Sequence, residues 1–241
     1  MDMAHSLLQA LPWDSDFLGF RVARLTATGL SWSAFDGALQ EATQAGYRLL
    51  YVEVDPADET AAGAARQNGA QLVDRKVTFV LSLPAPGPAP MPGIDQATEF
   101  TPRLEALAWQ SGEYSRFRLD SRFEPWVFQD LYTRWMRNSL SHELARQVLV
   151  FRDPAGSELG VLTLGEKNGR ADIGLLAVDA SVRGQRVGQG LVRAAVVQAQ
   201  QWGHSELQVV TQLDNEPACR FYEKCGFRLS HELHIYHVWV A

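Results

Sequence analysis

Residues 178–196 read VDASVRGQRVGQGLVRAAV, an apolar run that passes through arginines and glycines into a segment with helical spacing. Across Arg183, Gly184, Gln185, Arg186, Val187 and Gly188 several backbone N–H groups are left unpaired at a helix start, where the macrodipole is positive. Gly184 and Gly188 have no side chain to hold a ligand away from the main chain, and Arg183 and Arg186 add charge-assisted donors. That is the chemistry of a phosphate or diphosphate cradle. Read alone, the loop is equally a glycine-softened turn from strand to helix with solvated arginines. It is not a P-loop, because Gly-Lys followed by Ser or Thr is absent, and Gly184, Gly188 and Gly190 lack the spacing of a dinucleotide fingerprint.

A second stretch, TQLDNEPACRFYEKCGF (211–227), sets Asn215 where a helix N-cap belongs and places Ala218, Phe221, Tyr222 and Cys225 on one helical stripe. By itself that pattern describes a core tyrosine with a satisfied hydroxyl. A third, SGEYSRFRLDSRFEPW (111–126), interleaves Arg116, Arg118 and Arg122 with Tyr114, Phe117 and Phe123. The mixture suits stacking on a base and binding phosphate, and it also suits an exposed connection whose aromatics tuck under the core. Asp172, His204, Glu113 and Asp74 are the groups open to a proton-accepting role, with surface solvation the ordinary role of each. No metal site is expected, since His231, His234 and His237 on an extended strand alternate faces and the two on one face stand about 20 Å apart. No Gly-x-Ser-x-Gly elbow or recognisable Cys-His pairing is present, and Cys219 and Cys225 read as packing residues.

The elements that must position these residues fall into two halves. A chain of 241 residues with 46% hydrophobic and 10% aromatic residues can bury an ample core. Its net charge of -6 argues against nucleic acid as a partner. Acids near the start, in place of the positive charge of a signal peptide, and the lack of any apolar run of about 18 residues point to a soluble cytoplasmic protein with no membrane partner. Two cysteines six apart in one expected helix fit a reducing compartment. LPAPGPAPMPG (83–93) carries five prolines and reads as a semi-rigid linker. Strands are expected around 20–26, 48–54 and 77–83 before it, with helices over 33–46 and 58–68. After it come helices over 101–110 and 125–139, strands over 147–153, 159–165 and 171–178, the glycine loop and its helix, then a strand, a helix over 216–225 and a last strand, LHIYHVWV. Residues 49–81 overlay 206–238 without a gap, with Gly69 on Gly226 and Phe79 on Tyr236, but Ala65 stands opposite Tyr222 and nothing in the first copy matches the arginine-glycine loop. A last strand left exposed could pair with its symmetry mate in a homodimer.

LLAVDASVRGQRVGQGLV resembles motif A of the GNAT superfamily of acetyl-CoA-dependent N-acyltransferases, Q/R-x-x-G-x-G/A, with Arg183 opening it, Gly188 closing it and Arg186 in place of the first glycine. The second stretch resembles the family's next motif through Asn215, Ala218, Tyr222, Gly226 and Phe227. The resemblance implies an α/β (α+β) GNAT fold, a mixed β-sheet flanked by helices. It implies a partial, GNAT-like N-terminal domain over 1–83 without the coenzyme loop, the linker over 84–93 and a catalytic domain over 94–241. It further implies acetyl-CoA as co-substrate, held by Leu176, Ala177 and Val178 along its pantetheine arm, by Arg183, Gly184, Gln185, Arg186, Val187 and Gly188 at its diphosphate, and by Asn215. Leu176 would supply the oxyanion N–H, and Tyr222 would give a proton to the leaving thiolate.

LPWDSDFLGF, SRFRLD and LYTRWMRNSL extend the resemblance over nearly the whole chain, to the family of acetyltransferases acting on the 4-amino group of TDP-linked 4-amino-4,6-dideoxy-galactose (TDP-fucosamine). This implies a nucleotide-sugar substrate for enterobacterial common antigen or related surface glycans, bound by Arg116, Phe117 and Arg118. It also implies Asp74 as the base, where that family carries Glu and the shorter Asp requires a bridging water. Two other functions stay open from the residues: acetylation of a peptide, lysine or small amine such as a polyamine, and a non-catalytic acyl-CoA-binding module.

Overall fold

The computed structural model describes residues 7–83 and 91–240, so the expected linker over 84–93 lies outside the described residues except for 91–93. The elements are β1 (Leu8–Ala10), α1 (Pro12–Leu18), β2 (Val22–Ala27), α2 (Trp32–Gln44), β3 (Leu49–Val54), α3 (Glu59–Gln67), β4 (Gln71–Ser82), β5 (Ile94–Gln96), α4 (Pro102–Ser111), α5 (Arg116–Leu119), α6 (Pro125–Leu140), β6 (Gln147–Arg152), β7 (Glu158–Lys167), β8 (Arg170–Val178), a single 3-10 turn at Ala180–Val182, α7 (Val187–Gln201), β9 (Glu206–Gln212), α8 (Glu216–Lys224) and β10 (Arg228–Trp239). They form a mixed sheet with helices, as the sequence implies. Among the described residues no helix is long and apolar enough to cross a membrane.

Two compact units emerge, one running through Lys76 and resuming at Glu232, the other spanning Val77–His231. This division does not follow the expected boundaries at 83 and 94. A strand belongs where its backbone groups find partners, and the end of the chain finds them in the first unit: β10 pairs antiparallel with β3 from His234↔Val54 to Trp239↔Leu49. In that unit the strand order is β1-β2-β3-β10-β4. β10 therefore has strands on both sides, and the exposed final strand expected to pair with a symmetry mate is not available as an edge. A homodimer would have to use another surface.

The core of the first unit follows from period-2 alternation in LLYVEV, which sends Leu50, Val52 and Val54 to the side where Phe35, Ala38 and Ala42 of α2 and Ala61 and Ala65 of α3 are buried. In the second unit the order is β4-β9-β8-β7-β6-β5. Its core takes the α7 stripe Leu191, Val192, Ala195, Val196 and Ala199 together with Val77 and Phe79 of β4.

The internal repeat holds element by element. β3 and β9 begin at the overlaid residues Leu49 and Glu206, α3 and α8 at Glu59 and Glu216, and β4 and β10 at Gln71 and Arg228. Asp58 caps α3 by accepting the Ala61 N–H at 2.9 Å, and Asn215 caps α8 by accepting the Ala218 N–H at 3.2 Å. Gly69 and Gly226 close the two helices in the left-handed region.

Candidate active site

The site is built where β8 and β9 part. These parallel strands are in register only over Ala171↔Leu207, Asp172↔Gln208 and Ile173↔Val209. From Gly174 to Val178 the β9 side of β8 carries no strand, so a cleft opens at the carboxyl ends of two adjacent parallel strands, the usual ligand position in such sheets. On its other side β8 pairs with β7, and the register shifts between Leu162↔Leu176 and Leu164↔Ile173. A bulge of this kind bends a strand and re-aims its groups. It is pinned by the Thr163 hydroxyl, whose oxygen accepts the Leu175 N–H at 2.8 Å. By contrast β2 and β3, the parallel pair of the first unit, stay in register over six residues from Val22↔Leu49 to Ala27↔Val54.

Beyond Val178 the chain is held by Asp179, whose N–H donates to Leu159 O and whose carboxylate accepts the Ser181 N–H at 2.9 Å. Bonding from the Ser181 hydroxyl and N–H, with Arg103 beside it, holds that carboxyl below its ordinary range. Gly184 and Arg186 then both take positive φ, +79° and +65°, before α7 starts at Val187. No side chain caps α7, so the first-turn N–H groups of Val187, Gly188 and Gln189 face outward without an intrahelical acceptor. Gly188 lacks the Cβ that would come within 3.1 Å of the Phe221 ring. Two of the expected cradle residues, Arg183 and Gln185, are engaged by neighbouring carbonyls. The Gln185 N–H donates to Val182 O, and Arg183 Nε donates to Val178 O at 3.1 Å.

Arg186 stands where the motif has glycine, and a non-glycine residue in the left-handed region costs about 1–2 kcal/mol. Arg186→Gly is therefore expected to raise the melting temperature by a few degrees, which differential scanning calorimetry checks.

Tyr222 is 5% exposed, its ring lying 6.0 Å from Phe79, 5.3 Å from Phe221 and 5.6 Å from Phe227 by centroid. Its hydroxyl has no hydrogen-bond partner among the described residues. Burial, then the neighbouring Cys225 and Cys219, raises its pKa well above that of a free phenol, so the group stays protonated. Both cysteines are free; burial pushes the Cys225 thiol up to about 11 and the Cys219 thiol upward as well, which leaves neither as a thiolate nucleophile at neutral pH. Asn215 uses its oxygen for the α8 cap, and its amide N–H groups have no hydrogen-bond partner among the described residues.

The groups considered for proton acceptance are dispersed. His204 bonds Glu166 at 2.6 Å, beside the start of β8 and β9 and away from the cleft. Asp172 accepts from Gln208 at 2.8 Å, with its carboxyl raised by burial, and lies about 20 Å along β8 from Val178. Glu113 is exposed after α4. Asp74 is buried on β4 in the first unit, whereas the loop, Tyr222 and Asn215 belong to the second. In the acceptor segment, Arg116 lies 4.7 Å over the Phe117 ring and Arg118 lies 5.3 Å over the Phe128 ring.

Two residues without any motif signal brace the cleft. Gln110, on α4, donates to Val178 O at 2.8 Å, and Arg103 joins Glu158 O at 3.0 Å to the Asp179 carboxylate at 2.6 Å. On an amphipathic helix both look like ordinary solvent-facing polar residues, so their partners could be read only from the fold.

The sequence profile of the acetyltransferase (GNAT) family matches residues 104–227. A dTDP-fucosamine acetyltransferase from Escherichia coli O6:H1 is 27% identical over 224 residues, covering 91% of this chain and 92% of that protein. The spore coat polysaccharide biosynthesis protein SpsD of Bacillus subtilis is 27% identical over 133 residues, 55% of this chain and 45% of its own length. Among solved structures, a GCN5-related N-acetyltransferase from Sphaerobacter thermophilus superposes with a TM-score of 0.61 at 16% identity, over 97% of this chain and 76% of that one. With the matched residues running from α4 through the glycine-arginine loop to the end of α8, the chain belongs to the acetyltransferase (GNAT) family.

Proposed function

We propose that this acetyltransferase moves the acetyl group of acetyl-CoA onto the 4-amino group of a TDP-linked amino-deoxy sugar of the TDP-fucosamine type, in the cytoplasm, for surface-glycan synthesis. The observation that carries the reading is the extent of the likeness: the dTDP-fucosamine acetyltransferase matches 91% of the chain, first unit included, while the family profile needs only 104–227. The name of SpsD, a polysaccharide biosynthesis protein, supports the same substrate class.

The residues divide the work as follows. The free side of β8 at Leu176, Ala177 and Val178 takes the pantetheine arm as an added strand, and the Leu176 N–H polarises the thioester carbonyl. The N–H groups of Gly184, Arg186, Val187 and Gly188 hold the diphosphate; Arg183 and Gln185 join them by leaving Val178 and Val182. Asn215 donates to the arm. The amine, which loses its proton to water, attacks the thioester directly, and Tyr222 protonates the departing sulfur. Arg116, Phe117 and Arg118 hold the acceptor. The first unit is the partial copy without a coenzyme site: its parallel strands do not part, and Asp58, opposite Asn215, engages both oxygens with the N–H groups of Ala61 and Gly29.

The reading is tested by measuring thiol release from acetyl-CoA with a TDP-4-amino sugar, short peptides and polyamines as acceptors. The nucleotide sugar is expected to be turned over at least about a hundredfold more efficiently, with free TDP inhibiting. Equal or better turnover of peptides, without protection by TDP, overturns the substrate. Absence of thiol release with every amine overturns the activity.

A further inference from the structure

We propose that Trp135 of α6 seats the sugar ring of the acceptor beside the β8 bulge, its indole N–H donating to the hydroxyl next to the amine; the proposal rests on the nucleotide-sugar reading above. The bulge has two faces. Leu162, Leu164, Ile173 and Leu176 pack in the α7 core that also holds Tyr222. Thr163, between the first two, and Gly174, next to Ile173, therefore point to the opposite face. There α6 supplies the neighbour: the position a Cβ on Gly174 would take lies 2.8 Å from Thr163 Oγ1 and 3.6 Å from Trp135 Nε1. Leu176, whose N–H the reading assigns to the thioester oxygen, stands two residues further, about 7 Å along the strand, a span that one pyranose ring and its amine can bridge. With the phenol on one face of the strand, the amine comes from the other, past the indole.

The ring is braced and its donor is unused. Trp135 lies 5.7 Å from the Tyr132 ring by centroid, and Tyr132 lies 5.0 Å from Phe128, a row at i, i+4 and i+7 on one face of α6. Arg118, in the segment assigned to the acceptor, lies over Phe128 at the other end of the row. The row thus leads from that segment to the bulge. Trp135 is half-buried. Its carbonyl accepts the Ser139 hydroxyl at 2.8 Å, but its Nε1–H has no hydrogen-bond partner among the described residues, where a tryptophan N–H inside a protein ordinarily finds one. Trp109 of α4 shows the ordinary case, donating to Gln129 O at 3.1 Å and Thr133 Oγ1 at 3.0 Å. An indole in this setting offers apolar surface and one donor. A pyranose offers the complement, C–H groups on its ring face and hydroxyl oxygens at its edge, whereas a peptide N-terminus or a polyamine carries no hydroxyl beside the amine on a ring.

The test measures initial rates with two TDP-4-amino sugars that differ only in the hydroxyl beside the amine, on the wild-type chain, Trp135→Phe and Trp135→Leu. The wild type is expected to prefer the hydroxylated sugar about tenfold in kcat/KM. Trp135→Phe, which keeps a ring and lacks the donor, should lose that preference through a raised KM for the hydroxylated sugar, with KM for acetyl-CoA unchanged. Trp135→Leu, lacking the ring as well, should raise KM for both sugars by up to about tenfold more. A tryptophan that only packs would lower the rates with both sugars in the same proportion and leave the preference intact. A wild type without the preference, or the wild-type preference kept in Trp135→Phe, overturns the role of Trp135 and leaves the substrate reading standing. A wild-type chain that turns over neither sugar overturns both.

Discussion

Tyr222→Phe is expected to lower turnover about 10²- to 10⁴-fold, the range for removing a positioned general acid, without weakening acetyl-CoA or lowering the melting temperature. Removing a tyrosine hydroxyl from a core ordinarily breaks a hydrogen bond and leaves its partner unsatisfied. Here the ring packs on Phe79, Phe221 and Phe227 while the hydroxyl has no partner among the described residues. Phe keeps every ring contact and sheds only a polar group that burial disfavours, so stability should hold or rise slightly. The two readouts separate sharply: a purely structural tyrosine predicts little change in turnover. The pH profile adds a second check. Because burial raises the phenol above its ordinary value of 10, its protonated form persists through about pH 9, and the wild-type turnover should show no alkaline limb below that pH. Turnover of Tyr222→Phe within about threefold of wild type would refute the assignment.

The motif residues were legible because their chemistry and their local structure coincide. A glycine-arginine loop between an apolar run and a helical stripe announces a strand, a turn and a helix in one stretch, and α7 buries the stripe its spacing foretold. The repeat was legible for a similar reason, since glycine stops and caps punctuate both copies at the same spacing. What stayed hidden depends on pairing across the chain. The first half of β4, QLVDRK, has no clean alternation and becomes strand because β10 lies beside it. The four-residue α5 is too short for any periodicity to mark it. The return of β10 to β3 reassigns the end of the chain to the first unit, and no local property of LHIYHVWV encodes that. The open cleft itself is invisible in sequence, because it consists of rungs that β8 and β9 do not form.

Gly174→Ala is expected to destabilise the chain by about 1–3 kcal/mol and to weaken acetyl-CoA by about tenfold or more. A Cβ at this position would lie 2.8 Å from the Thr163 hydroxyl oxygen, closer than real contacts allow. That oxygen cannot retreat freely, because it accepts the Leu175 N–H and so holds the bulge that turns the end of β8 toward the cleft. Thr163→Ala alone removes the clash partner and orphans a buried N–H, at about 1–3 kcal/mol. Combining the two should be less damaging to stability than the sum, since the methyl introduced by Gly174→Ala then has room where the hydroxyl stood. Coenzyme affinity should not recover in the double variant, because Leu175 still lacks its acceptor and the strand end is free to straighten. Stability partly rescued with affinity still lost is the signature of a bulge kept for its geometry. If calorimetry on the double variant shows acetyl-CoA binding restored along with the fold, the bulge is a packing accommodation and the cleft owes its shape to something else.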